Sequence, residues 1–583
     1  MALVAAPPRF PPSQRTQPLP GRLMAGDFDI CVIGSGAGAG PVIWRLTRAG
    51  YSVVVLEKGP WFKREDFSKD ELACCRRSHY TPNLRDEQHV LEELAASGGW
   101  QATPAGESKR DFWNGNMVGG SSNLMSGYFH RLKPHDFRLL SEFGPIEGAN
   151  LTDWPISYDD LEPYYSLVER VVGVSGSVTP HPRQEPRSNP DFPYPPTAEH
   201  PVSAWIDEAC RELCHHPLRV ARAILSQREG GRDACSYSGY CGSYGCSTNA
   251  KGSARAALIE PALATGRCDL RPDSKVYRLE SDAQGRVVQA HYYDAQGEAR
   301  KVSARIFVVA CQAIESSRLL LGSPGPAHPD GLGNHSGQLG RNLIFSAGGA
   351  GSGYFTYAKL TPQQQDQVRT LGPFVNRALQ DWYVIDDPRF GPHPAKGGTI
   401  DFLFAHPNPI PLANGVRWRD GELLWGKPLK RKLERWFTED RKLLFEVFCD
   451  WLPNDDCFVT LDPQVRDKWG SPVARVRLGS HPHDQRVGRY LAERGQEVLR
   501  AMGLDWIGAS VSGAPPPNLV AGGCRFGTDP QQSVLDPDCR VWGADNLYVS
   551  DASFMPTGGS VPYTWTIYAN AFRVADIIRQ QLI

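Results

Sequence analysis

The stretch from Phe28 to Glu57, FDICVIGSGAGAGPVIWRLTRAGYSVVVLE, restricts the fold of this chain more than any other. An apolar run, Ile30 to Ile33, leads into Gly34-Ser35-Gly36-Ala37-Gly38-Ala39-Gly40. Val42, Ile43, Leu46 and Ala49 then recur at helical spacing, and a second apolar run, Val53 to Leu56, ends in Glu57. This order predicts a βαβ dinucleotide-binding unit. Gly34 permits the tight turn, Gly36 lets backbone approach a pyrophosphate, and Ala39 at the third position keeps helix and strand close. The phosphates then sit at the helix N-terminus, where free N–H groups and the macrodipole favour negative charge. Glu57, an acid about 20 residues after the glycines, accepts hydrogen bonds from ribose hydroxyls.

The 583 residues are too many for one small core and predict two or more domains. A net charge of −1 and an apolar fraction of 41% point neither to a nucleic-acid partner nor to disorder. No apolar run is long enough for a membrane span. Residues 1–27, rich in proline, read as a flexible tail with neither a signal-peptide core nor a twin-arginine pair, which makes the cytoplasm the default compartment.

Further along, Val118-Gly119-Gly120-Ser121-Ser122-Asn123 is either an ordinary tight turn or a place where backbone passes close to a flat ligand. Helices are expected at Ala204–Cys214 and Ala254–Ala264. Strands are expected between Cys268 and Ala310, with Val276 among them, and the run Arg305 to Ala310 enters a helix at Cys311–Leu321. From about Ile344 to Leu504, aromatics and β-prone runs such as Phe445-Glu446-Val447-Phe448 predict an antiparallel sheet. Asn546 to Val549 reads as a strand ending in Ser550-Asp551-Ala552-Ser553, and Tyr568–Ile578 as a closing helix.

Together these motifs resemble the glucose–methanol–choline (GMC) flavoprotein oxidoreductases. The resemblance rests on GSGAGAG with Glu57, on VGGSSN, on VVACQAIESSRLLLGS from Val308 to Ser323, and on CRFGTDPQQSVLDPDCRVWG with NLYVSDASFMPTGGS. It implies an α/β fold in two parts. A Rossmann-like FAD-binding domain is assembled from discontinuous segments (28–150, 200–343 and 515–583), and a substrate domain with an antiparallel β-sheet comes from 151–199 and 344–514. FAD is expected to be non-covalent, on Gly34, Ser35, Gly36, Ala37, Ala39, Glu57, Val118, Gly119, Gly120, Ser121, Asn123, Val276, Asp551 and Ala552. The implied activity is oxidation of an alcohol, sugar or related CH–OH group by hydride transfer to flavin N5. The expected electron acceptor is something other than oxygen, with an electron-acceptor protein or small subunit as the partner.

The sequence departs from the family where the chemistry is done. The family's catalytic histidine falls on Leu519 and its His/Asn partner on Pro562. An alcohol losing hydride must give its proton to a base poised near neutral pH. By sequence neighbourhood the candidates are Tyr563, His481 and His483. Tyr563, like Trp565, also reads as a wall of the pocket, and the two histidines also read as a helix start with Asp484 in the first turn. Loss of the usual pair equally suits a non-redox lyase or flavin photoenzyme on the same scaffold, or a flavin-bound subunit without activity. Cys235, Cys241 and Cys246 stand in one glycine-rich loop and are ordinary thiols, a disulfide pair if the protein is exported, or ligands of an iron–sulfur cluster; some members of the family that pass electrons to cytochromes have three cysteines in this region.

Overall fold

The structure, a computed structural model, describes residues 28–583 except 72–86, 109–111, 113–114, 406–408, 420 and 517. The expected Pro-rich tail, 1–27, lies outside the described residues.

Strand Phe28–Ile33, helix Gly40–Arg48 and strand Val53–Leu56 form the expected βαβ unit. Both strands are buried almost throughout, as valine-rich runs are when a parallel sheet is covered on its two faces. The sheet is drawn from distant parts of the chain. Its five parallel strands run in the order Leu547–Val549, Ala304–Val309, Phe28–Ile33, Val53–Leu56, Cys268–Arg271. Helix Gly40–Arg48 lays Val42, Ile43 and Leu46 on it. The C-terminal helix, Thr564–Leu582, packs alongside, with Phe572 meeting Trp44 edge-on at 5.8 Å. That helix begins four residues before the predicted start, because Pro562 and the half-turn after it fix its entry. The helix expected at 254–264 is broken into a wide π-type turn, Arg255–Ile259, and a short helix, Glu260–Leu263, with Pro261 at its start.

The second layer is the expected antiparallel sheet. Strands Asp505–Ser510, Gly349–Thr356, Asp440–Trp451, Gly398–Phe404, Arg377–Leu379 and Pro217–Arg219 lie in that order. The last comes from a stretch expected to belong to the nucleotide part. On the central strand Leu443, Phe445 and Val447 point to one face and pack with helix Pro482–Ala501 into a core. Leu444, Glu446 and Phe448, at the alternate positions, take the other face. Among the described residues no helix is long and apolar enough to cross a membrane.

A buried ionic cluster joins the two layers. Lys396 Nζ lies 3.1 Å from Asp136 and 3.9 Å from Asp450, and donates to Ser560 Oγ. Tyr383 OH donates to Asp136 at 2.6 Å, and Gly559 N donates to Asp450 at 2.8 Å. Burial pushes the Asp450 carboxyl up, and the Lys396 charge pulls it back. Removing one partner of such a cluster strands the other charges in low dielectric. Lys396→Met is therefore expected to destabilise the protein by about 3–5 kcal/mol, measured as a lowered midpoint of urea unfolding. An unchanged midpoint would show the cluster to be structurally neutral.

Candidate active site

The Gly34 turn is fixed by sterics. Gly34 has φ +91°, and a Cβ there would lie 2.3 Å from the carbonyl oxygen of Ala310, the residue that follows the neighbouring strand. Ser35 Oγ donates to Glu57 at 2.5 Å and accepts from Gly119 N at 3.0 Å, and the other Glu57 oxygen accepts from Gly59 N at 2.8 Å. Burial raises the Glu57 carboxyl above its ordinary range, and the Ser35 hydrogen bond works against that. The two glycine-rich stretches are thus tied through one serine. Gly120 is folded over Gly36, its absent Cβ 3.0 Å from the Gly36 Cα. Asn123 Nδ2 holds the turn by donating to the carbonyls of Val118 and Gly120 at 2.9 and 3.1 Å.

The C-terminal segment closes the same floor. Asp551 accepts from Gln312 N at 3.0 Å, from the Ser316 hydroxyl and from Ser553 N at 2.9 Å. It thereby joins the strand-to-helix junction at Ala310–Ala313 to the last strand. Gly38, whose spacing role the sequence did not reveal, is where that segment crosses the first loop: a Cβ there would lie 2.6 Å from both Ser550 O and Asp551 Cα.

These elements enclose a cavity of about 850 Å³. Gly34, Ser35, Gly36, Ala37, Glu57, Gly120, Ser121, Val276, Asp551 and Ala552 line it. Ala39, Val118, Gly119 and Asn123 stand behind its wall. Its far end is walled by Tyr128, Leu403, Glu446, Phe448, Leu519 and Tyr563.

Leu519 and Pro562 do face this end together. Leu519 has φ +53°, a left-handed conformation costly for a branched residue, and its carbonyl accepts from the Tyr563 hydroxyl. Tyr563 is buried, which pushes its phenol well above the ordinary range. Trp565 turns away, its Nε1 donating to Tyr165 O at 3.3 Å. His481 and His483 stand outside the cavity. His481 caps helix Pro482–Ala501, accepting from His483 N at 3.2 Å and bonding Glu147 O at 2.8 Å, and Asp484 is in the first turn. Burial and the Arg486 charge lower His483 to about 4. The helix start accounts for both residues.

Sequence reading passed over Glu446. It sits on the cavity face of strand Asp440–Trp451, opposite Asp401 in the register of the neighbouring strand. Asp401 is buried and bonded to His130 Nε2 at 3.1 Å, whereas the Glu446 carboxyl makes no hydrogen bond or ion pair among the described residues. Burial, with the facing Asp401 charge added, pushes the Glu446 carboxyl up to about 7. The signal available in the sequence was period-two alternation, which sets an acid between Leu444 and Phe448 on one face.

Cys235, Cys241 and Cys246 line a separate cavity of about 100 Å³, but the iron–sulfur expectation finds no support. Among the described residues no three Cys, His, Asp or Glu side chains are placed to hold a metal ion. The thiols are instead engaged by protein groups: Cys241 with Ser126 O, Cys246 with Thr248 Oγ1 at 3.4 Å, and Cys235 with Tyr237 N at 3.4 Å.

Family models described as GMC oxidoreductase match residues 195–346 and 453–571. The chain is 33% identical over 559 residues to paromamine 6'-oxidase of Streptomyces fradiae, covering 95% of this chain and 92% of that one. It is 30% identical over 578 residues to 2-methyl-1,2-propanediol dehydrogenase of Mycolicibacterium austroafricanum, covering 96% of each. The fold matches that of formate oxidase from Aspergillus oryzae RIB40 with TM-score 0.62 at 16% identity, over 96% of this chain and 99% of the other. With the glycine floor, the strand order and these matches in agreement, the chain belongs to the GMC oxidoreductase family.

Proposed function

We propose that the cavity holds FAD non-covalently and oxidises an alcohol CH–OH group, with the Glu446 carboxylate taking the hydroxyl proton. The glycine floor fits the cofactor. A Cβ on Gly36 would meet no protein atom within 4 Å, so this glycine is spared for a group approaching from the cavity rather than for the packing of the chain. Gly34, Gly36 and the start of helix Gly40–Arg48 would hold the pyrophosphate, Glu57 the ribose, and Gly120, Ser121, Asp551 and Ala552 the flavin-ward half. When bound, the flavin supplies the acceptor for the hydride leaving the carbinol carbon.

One observation carries the assignment of the base. Among the described titratable groups at the Leu519 end, Tyr128, Glu446 and Tyr563, burial lifts both phenols well above neutral, whereas Glu446 is poised near pH 7. The carboxylate would accept the hydroxyl proton as the C–H bond gives up its electron pair and the carbonyl forms. It would later release that proton to water. Tyr563, through its bond to the Leu519 carbonyl, positions the Leu519 turn against the substrate. The relatives named paromamine 6'-oxidase and 2-methyl-1,2-propanediol dehydrogenase support a CH–OH donor.

Gly36→Val is expected to fold, by far-UV circular dichroism, but to purify without flavin absorbance; a fully loaded variant would place the phosphates elsewhere. Acid precipitation of the wild type is expected to release the flavin. No His or Cys stands between Gly119 and Asn123, and the cavity-lining Cys311 thiol is held protonated by burial while donating to Ile33 O at 3.3 Å. Flavin kept in the pellet would contradict this.

Glu446→Gln is expected to lower kcat/KM by about 100-fold or more and to erase a rise in kcat/KM with an inflection near pH 7. Tyr563→Phe should leave that inflection in place. Stability gives an independent reading. A carboxyl whose folded value lies above its unfolded value of about 4.3 destabilises the fold increasingly as pH rises between the two, and by a constant amount above pH 7. Glu446→Gln should therefore be more stable than wild type at pH 8, with the gap closing as pH falls to about 4. A gap independent of pH would contradict the assignment.

A further inference from the structure

We infer that the face built by helix Pro409–Val416, the hairpin Trp418–Arg419/Glu422–Leu423 and helix Gly426–Thr438 docks onto the surface of an anionic lipid bilayer. The first observation is where apolar side chains reach the outside. Ten large hydrophobic residues are exposed among those described, and five of them, Ile410, Trp418, Leu423, Trp425 and Phe437, fall in this one stretch. A sixth, Trp506, lies under the Arg435 guanidinium at 4.0 Å and extends the same patch. Trp425, at the N-cap of the second helix, is 80% exposed.

The pieces form one surface. Trp418 and Leu423 are directly opposed in the hairpin register, so their side chains share a face. Lys432 Nζ donates to Trp418 O at 3.0 Å, which fixes the second helix against the hairpin. Helix Gly426–Thr438 has no buried residue, although Leu429, Leu433 and Trp436 recur at helical spacing. Isolated exposed apolar residues are ordinary on a protein surface, whereas several clustered on adjoining elements mark an interaction site.

The charges choose the occupant. The same helix carries Lys427, Lys430, Arg431, Lys432 and Arg435 against one acid, Glu434, in a chain whose net charge is −1. Arg435 pairs with Asp440 at 3.0 Å, whereas Lys427, Lys430, Arg431 and Lys432 have no ion-pair partner among the described residues. Protein–protein interfaces are depleted in lysine, and three of these four unpaired cations are lysines. Trp, Leu and Phe beside a lysine-rich flank instead suit the headgroup–acyl boundary, where indole rings sit at the interface and cations meet lipid phosphates. Leu412 of the first helix lines the active-site cavity, so docking would set that side of the cavity toward the bilayer.

The test uses purified holoenzyme and sedimented vesicles of pure phosphatidylcholine or of phosphatidylcholine with phosphatidylglycerol. Expected is partition onto the anionic vesicles with a blue shift of tryptophan emission, weakened by salt. Lys430→Gln with Arg431→Gln should weaken partition about 30-fold. Trp425→Ala should reduce both the partition and the blue shift, while flavin absorbance and activity on a water-soluble alcohol stay as in wild type. Lys427→Gln provides a further single-charge variant, expected to weaken partition about fivefold. Absence of partition, equal partition onto both vesicles, or partition indifferent to all these substitutions would overturn the inference. So would a wild-type dimer that Trp425→Ala converts to monomer without any vesicle binding, since the patch would then belong to a second copy of the chain.

Discussion

The structure depends on a contact that leaves no room for a side chain. At Gly38 the first loop of the chain lies against Ser550 and Asp551, more than 500 residues later, at a separation that even a methyl group would violate. Asp551 then spends its carboxylate oxygens on Gln312, Ser316 and Ser553, so the beginning, middle and end of the chain are tied at one point. The parallel sheet, drawn from the same three regions, follows from that tie. The cavity is the space that the tie leaves beneath the antiparallel sheet. Long-range closure of this kind has a high entropic cost, and the buried strands and Val/Ile/Leu core on either side offset it.

Opposite that floor the sheet breaks a local rule. Cross-strand neighbours of like charge destabilise a sheet, yet Asp401 and Glu446 face each other in register. Asp401 is satisfied by His130, and the unresolved share of the conflict falls on Glu446. A sequence consistent at every other level usually concedes such a conflict at a functional position. In this chain the concession lies at the end of the cavity that Leu519 and Pro562 line, where the family resemblance leads one to expect a polar pair. The strained backbone of Leu519, held by the Tyr563 hydroxyl, adds a second local cost at the same end of the cavity.

Much of the nucleotide side was legible in the residues. Gly34 and Glu57 announce themselves because each answers a steric or charge demand local to its own stretch, whereas the Gly119–Gly120 pair gained its meaning only from the family resemblance. The parallel and antiparallel sheets were legible from apolar runs and from β-prone aromatic runs. Gly38 was not legible as a crossing point, because the atoms that forbid a Cβ belong to a segment at the other end of the chain. Glu446 was hidden for a related reason: its distinction lies in Asp401 across the sheet, and nothing within Phe445-Glu446-Val447-Phe448 reports that neighbour. The two histidines were attractive for their chemistry alone. Their actual partners, the backbone at the start of helix Pro482–Ala501 and Glu147, make them parts of a cap. The cysteine loop was similarly attractive by spacing, and its thiols are engaged by neighbouring hydroxyl, amide and carbonyl groups.

The central claim is that the carboxyl group of Glu446 is poised near neutrality inside the cavity, and infrared difference spectroscopy reads that property directly. Across a pH titration, the protonated carboxyl stretch of wild-type protein minus Glu446→Gln should be present at pH 5 to 6, fade with a midpoint near 7, and be replaced by carboxylate bands. A difference spectrum showing only carboxylate down to about pH 4 would mean that the group is solvated and ordinary. The account of the base would then fail.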